Sequence, residues 1–148
     1  MNRIENYADL ETSIVTWIQN YVNENKLKSL VVGVSGGIDS AVVATLCAET
    51  GIPTYVLSMP LHSKVDSDRL SNDYCKALEE KYDNVTRVRV ELSGVYEKFH
   101  HSLNWWTESK TYTTNELANA NTKSRLRMVT LYQIAATVDG IVVGTGNK

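Results

Sequence analysis

The feature that most constrains the fold is a short apolar run, SLVVGV, from Ser29 to Val34. Its β-branched residues do not alternate with polar ones, which is typical of a strand buried on both faces. Such strands belong to parallel sheets that helices cover on both sides. Helical and strand patterns alternate along the rest of the chain as well. We therefore predict an α/β fold, a three-layer α/β/α sandwich around a parallel sheet.

Apolar periodicity predicts where the other elements lie. The predicted helices span Asn6–Lys26, Ile38–Thr50, Val65–Tyr82, Gly94–Leu103 and Asn115–Val138, the last with Thr114 as its cap. The predicted strands after the first span Pro53–Met59, Val85–Leu92 and the terminal stretch IVVG. Arg87 and Arg89 alternate with valines in the third strand, which favours an edge position with one wet face.

Composition and charge narrow the class of protein. The 148 residues are 43% hydrophobic and 22% charged, without repeat or linker, so we expect one domain spanning 1–148. A net charge of -2 argues against a nucleic-acid-binding surface. Cys47 and Cys75 fall in predicted helices without CxxC spacing, which predicts two buried thiols and a cytoplasmic protein. Neither a membrane span nor a secretory signal is predicted.

A glycine pair follows the first predicted strand, in the stretch VSGGIDS. Ligands of parallel sheets bind beyond the carboxyl ends of the strands, where this stretch lies. Glycines let backbone N–H groups approach an anion, and the following helix adds the positive end of its dipole. Asp39 would repel a phosphate unless a divalent cation such as Mg²⁺ joins them. The stretch therefore predicts a site for nucleotide phosphates, since a plain turn needs at most one glycine. It is neither a GxxxxGK[ST] nor a GxGxxG loop.

Two segments of the chain resemble a known family. The loop, which reads SGGIDS, is similar to the SGG-x-D-S loop of the PP-loop ATP pyrophosphatases, which cleave ATP between its α- and β-phosphates. The stretch Asn121–Lys148 is similar to a segment of NAD synthetases, in which a helix bearing N-x-x-x-R-x-R-M leads into a strand ending in G-T. Together the resemblances imply a ligase of the ammonia-dependent NAD⁺ synthetase family. Such enzymes amidate deamido-NAD⁺ with ammonia through an adenylylated intermediate, with release of AMP and pyrophosphate.

The resemblance also implies roles for individual residues. Those that would bind ATP are Gly33, Val34, Ser35, Gly36, Gly37, Ile38, Asp39, Ser40 and Thr145. Asp39 would in addition bind Mg²⁺, and Arg125 would contact deamido-NAD⁺. Asn121 stands four residues before Arg125 and shares its helix face. Arg127 lies elsewhere on that helix, and we expect it to be structural.

Several expectations concern partners and departures from the family. The family implies a homodimer with the deamido-NAD⁺ site near the subunit boundary. Only 34 residues precede Ser35, so free ammonia rather than a fused glutaminase domain is expected. The chain stops soon after Thr145, so we expect the C-terminal part of the domain to be missing and turnover to be weak. Ser58 stands where many relatives have an arginine, which removes one ATP contact.

Two other interpretations stay open from the sequence. The same fold could serve another acceptor, such as a tRNA or a purine, although the negative net charge and the lack of a cysteine near the loop count against tRNA thiolation. Alternatively, the chain is a non-catalytic nucleotide-binding or dimerisation module, which a missing tail would favour. His62, His100 and His101 lack the spacing of a zinc site. Trp105 and Trp106 are expected to pin a loop to the core.

Overall fold

The computed structural model describes residues 6–62, 65–103 and 115–145. Its strands are β1 (Ser29–Gly33), β2 (Thr54–Ser58), β3 (Val85–Arg89) and β4 (Gly140–Val142). They pair in parallel in the order β3–β2–β1–β4. Val32 of β1, for example, is in register with Val56 of β2. The predicted parallel sheet and the edge position of β3 are both confirmed.

The helices agree with the predicted ones except at their ends. They are α1 (Tyr7–Glu24), α2 (Ile38–Glu49), α3 (Val65–Lys81), α4 (Ser93–Ser102) and α5 (Glu116–Thr137). The predicted cap of α5 was wrong. The Asn115 side chain accepts a hydrogen bond from the N–H of Leu117 at 2.9 Å, because an amide oxygen can satisfy a first-turn donor. Thr114 itself lies outside the described residues, as do Trp105 and Trp106.

Successive residues along a strand point to opposite faces of the sheet, and each face packs into its own hydrophobic core. Leu30 and Val32 of β1 pack with α1, α2 and α3, whereas Val31 packs with α4 and α5. All three side chains are at most 1% exposed, and each contributes about 1.5–3 kcal/mol by leaving water. The apolar run of β1 does not alternate with polar residues because both faces of the strand are buried.

Part of the apolar stripe of α1 is not buried. Ile18 and Val22 enter the core, whereas Tyr7 and Trp17 are 73% and 65% exposed. Ile18 and Val22 are the buried residues of α1, and Ile14 packs partly against the same core. The apolar periodicity of α1 thus overstated the width of its buried face.

Cys47 and Cys75 are free thiols in the core formed with α1, α2 and α3. Burial raises the pKa of Cys47 to about 12 and that of Cys75 to about 11. The expectation of two buried, unbridged cysteines is confirmed. Among the described residues, no helix combines the length and apolarity needed to cross a bilayer.

Candidate functional site

The loop between β1 and α2 is braced by the buried hydroxyl of Ser40. The Ser35 N–H donates to Ser40 Oγ at 3.1 Å, and Ser40 Oγ donates to the Gly37 carbonyl at 2.9 Å. Because this uses the one proton of Ser40, Ser35 Oγ must be the donor in its 3.1 Å contact with Ser40 Oγ. Ser35 Oγ in turn accepts from the Gly37 N–H at 3.3 Å. The Ser40 hydroxyl therefore forms all of its hydrogen bonds, two accepted and one donated, within the loop.

Gly36 brings this loop against the first turn of α3. Its φ of +85° is in the left-handed region, and a Cβ there would lie 2.7 Å from the carbonyl oxygen of Ser67. Only glycine meets both conditions without displacing α3. The first glycine of the pair is thus required by the backbone and by its neighbour.

Gly37 leaves the start of α2 open. It is the N-cap residue and has no side chain to accept from the first-turn N–H groups. Those groups have no acceptor within the helix, and the helix dipole adds roughly half a positive charge at this end. The exposed Asp39 lies in the same turn. This end of α2 can receive an anion, with a carboxylate placed to share a cation with it.

A cavity of about 640 Å³ opens beside the loop, over the carboxyl ends of β1, β2 and β4. Helices α3 and α5 supply its side walls. The residues that line it are Gly33, Val34, Ser35, Met59, Pro60, Ser67, Asp68, Ser71, Ser124, Arg127, Met128, Leu131, Tyr132, Val142 and Thr145. The structure thus brings Thr145 into one wall with Ser35, at the sheet edge where both were expected.

Gly33 forms part of the cavity floor. A Cβ at this position would lie 3.2 Å from Met59 Cε and 3.3 Å from Leu131 Cδ1. The lack of a side chain lets the end of β1 approach β2 and α5 closely. A larger residue at this position would require Met59 or Leu131 to shift.

The cavity lining does not include the other predicted site residues, which are Gly36, Gly37, Ile38, Asp39, Ser40 and Arg125. The side chain of Ile38 is 76% exposed and lines a different groove, between α1 and α2. Only its backbone can serve the loop. Arg125 is exposed, and its Nη1 donates to the Asn121 carbonyl at 3.4 Å. Ser58 is fully buried in β2, away from the cavity surface.

The cavity contains two charged residues that were not predicted as site residues. The carboxylate of Asp68 accepts two hydrogen bonds from Arg89, each 3.1 Å long. Arg127 donates its Nε–H to the Met59 carbonyl at 3.1 Å, and burial lowers the pKa of Arg127. The spacing of Ser124, Arg127 and Leu131 along α5 would have indicated a common face. The expected structural contact of Arg127 is present, but the residue also lines the cavity.

None of the three histidines is among the residues that line the cavity. His62 Nε2 is 3.4 Å from Glu97 Oε1, and His100 Nε2 is 3.0 Å from Asn119 Oδ1. Within the described ranges, no cluster of three or more His, Cys, Asp or Glu side chains could hold a metal ion. A cation at Asp39 could complete its coordination with water and with oxygen atoms of the nucleotide. Mg²⁺ suits such a site, since it binds one or two carboxylates together with phosphate oxygens.

A parallel sheet with a glycine loop and an open helix N-terminus at its carboxyl edge defines the class of nucleotide-binding α/β proteins. The comparison with protein families is more specific. The model of the NAD synthase family matches residues 10–148. The chain belongs to the NAD synthase family.

Individual relatives agree with this assignment. The chain is 34% identical over 145 residues to the NH(3)-dependent NAD(+) synthetase of Carboxydothermus hydrogenoformans, covering 97% of this chain and 56% of that protein. The structure of NMN synthetase from Francisella tularensis is similar with a TM-score of 0.80 at 30% identity, over 95% of this chain and 54% of that one. The structure of the NH3-dependent NAD synthetase from Campylobacter jejuni is similar with a TM-score of 0.79 at 26% identity, over 98% of this chain and 58% of that one. The chain thus spans little more than half the length of these proteins.

Proposed function

We propose that residues 1–148 form a single ATP-pyrophosphatase domain that takes part in the amidation of deamido-NAD⁺ with ammonia. The reaction would consume ATP with Mg²⁺ in the cytoplasm and form NAD⁺, AMP and pyrophosphate. One observation carries the proposal. Ser35 and Thr145 lie in the wall of one cavity, and the loop of Ser35 leads into the uncapped start of α2. Membership of the NAD synthase family supports the choice of acceptor.

The chemistry explains why ATP is needed. A carboxylate is a poor electrophile because its oxygen is a poor leaving group. Attack of the carboxylate oxygen on the α-phosphorus of ATP forms an acyl adenylate and releases pyrophosphate. Ammonia then attacks the carbonyl carbon, and AMP leaves with the former carboxylate oxygen. The protein must hold the reactants in line and stabilise charge on the departing pyrophosphate.

The loop residues divide these tasks. The backbone N–H groups of Gly36 and of the first turn of α2 would receive the pyrophosphate, and Ser40 keeps them in place. Asp39, together with phosphate oxygens, would hold Mg²⁺, which neutralises charge on the leaving group when bound. Thr145 would contact ATP from the end of β4. These roles are assigned from the family resemblance and from the positions of the residues.

Arg125 is proposed to contact deamido-NAD⁺ outside the ATP cavity. It lies on the exposed side of α5, and Val129, one turn further along, is 58% exposed. Leu126 and Ile134, by contrast, pack into the core on the α4 and α5 side. An exposed apolar residue beside Arg125 agrees with a homodimer that meets near this substrate. Sedimentation over a range of concentrations would test the dimer.

The proposal is tested by pyrophosphate release from ATP and Mg²⁺, with and without deamido-NAD⁺. We expect slow release that depends on deamido-NAD⁺ and is abolished in Asp39→Ala. Nicotinic acid mononucleotide should be tested as an acceptor in the same assay, because one similar structure is named an NMN synthetase. Release with that acceptor alone would reassign the substrate. Nucleotide binding without release under any condition would instead identify a non-catalytic module.

A further inference from the structure

We infer that Arg127 is the cationic residue through which α5 contacts the phosphates of the bound nucleotide, and this inference rests on the proposed ATP site. Its position is the first support. Among the described residues that line the cavity, Arg127 carries the one positive charge. The other charged lining residue, Asp68, lies on the α3 wall and is paired with Arg89.

The contact with the end of β2 fixes how Arg127 enters the cavity. Its Nε–H bond to the Met59 carbonyl holds one edge of the planar guanidinium beside the cavity floor. Met59 also approaches Gly33, which leads into the phosphate loop. A guanidinium placed in this way can donate to phosphate oxygens with fixed geometry. Burial lowers the pKa of Arg127, but an arginine stays charged at neutral pH.

Arg125 does not share this environment, although it is only two residues away. Two residues correspond to about 200° around an α-helix, so the two side chains leave α5 in nearly opposite directions. Arg125 is exposed and contacts the backbone of Asn121. The R-x-R pair thus places one cation in the ATP cavity and the other outside it.

The experiment compares ligands that differ in phosphate content. Affinities of the 148-residue chain for ATP with Mg²⁺, AMP and adenosine are measured for the wild type, Arg127→Gln and Arg127→Lys. Arg69→Gln is the matched control, because Arg69 is an exposed α3 residue paired with Asp73 at 3.7 Å. We expect Arg127→Gln to weaken ATP binding about tenfold or more, the scale of a lost charged hydrogen bond, and adenosine binding less than about twofold. Arg69→Gln should change neither affinity.

The ligand series separates binding from a purely structural role. A residue that only ties α5 to β2 would weaken ATP and adenosine by the same factor, and that result would overturn the inference. Arg127→Lys keeps the charge and should retain more of the ATP preference than Arg127→Gln. Thermal unfolding of each variant checks that it is folded. If Arg127→Gln does not fold, the comparison of Arg127→Lys with the wild type tests the inference instead. A wild-type chain that binds no ATP would overturn the proposed function, and the inference with it.

Discussion

At the scale of single residues, the buried side chain of Ser40 forms its hydrogen bonds within the loop and presents almost no surface to solvent. It is 3% exposed, and its hydroxyl links Ser35 and Gly37 across the turn. The N–H of Ser35 and the carbonyl of Gly37 would both lose this partner without it. The Ser40 hydroxyl, which the sequence suggested as a ligand donor, therefore braces the loop in this structure.

We predict that Ser40→Ala lowers the free energy of unfolding by about 1–3 kcal/mol, because it removes the loop hydrogen bonds of the Ser40 hydroxyl, each worth about 0.5–1.5 kcal/mol. Urea denaturation measures the change. Ser13→Ala is the matched control, because the Ser13 hydroxyl is exposed and donates only to the Asp9 carbonyl of its own helix. That variant should differ from wild type by less than about 0.5 kcal/mol. Equal effects of the two substitutions would contradict the bracing role.

At the scale of elements, the site depends on how closely the loop meets α3. We predict that Gly36→Ala destabilises the chain and weakens nucleotide binding, because the new methyl group would displace either the loop or the backbone of Ser67. Gly51→Ala is the control, since Gly51 has a φ of +73° but a Cβ there would meet no neighbouring atom within 4 Å. Both variants bear the left-handed backbone cost of about 1–2 kcal/mol. The difference between them in urea denaturation isolates the clash with α3, and no difference would refute it.

The elements were predictable because their signals are local. Short stretches of consecutive residues are enough to indicate the apolar run of β1, the glycine pair and the periodicity of α5. The cavity was only partly predictable, because its wall combines the ends of three strands with α3 and α5. The spacing of Arg127 with Ser124 and Leu131 indicates a common helix face. Which strand ends that face meets, and that Asp68 lies opposite, depends on packing that periodicity does not encode. The cap of α5 was missed for a simpler reason, since Thr114 and Asn115 are both good caps and adjacent.

At the scale of the whole molecule, one sheet separates two cores, and the candidate site draws on both. Ser67 and Asp68 come from the α3 side, whereas Arg127 and Leu131 come from the α5 side. Nucleotide binding should therefore couple the two helical layers. The thiols of the first core offer a way to follow global unfolding independently of that site, because they lie in its interior.

We predict that the chain loses stability above pH 9 because of Cys47 and Cys75. Burial raises the pKa of both thiols from an ordinary value of 9.0, to about 12 and about 11 respectively. The unfolded chain therefore releases these protons first, and each thiol lowers the free energy of unfolding by up to about 1.4 kcal/mol per pH unit. Below pH 9 both states keep the protons and the effect vanishes. Urea denaturation at pH 8 and pH 10.5 measures it, and the single variants Cys47→Ala and Cys75→Ala should each show a smaller loss than wild type. An identical pH dependence in all three proteins would mean that the thiols ionise as easily in the fold as outside it.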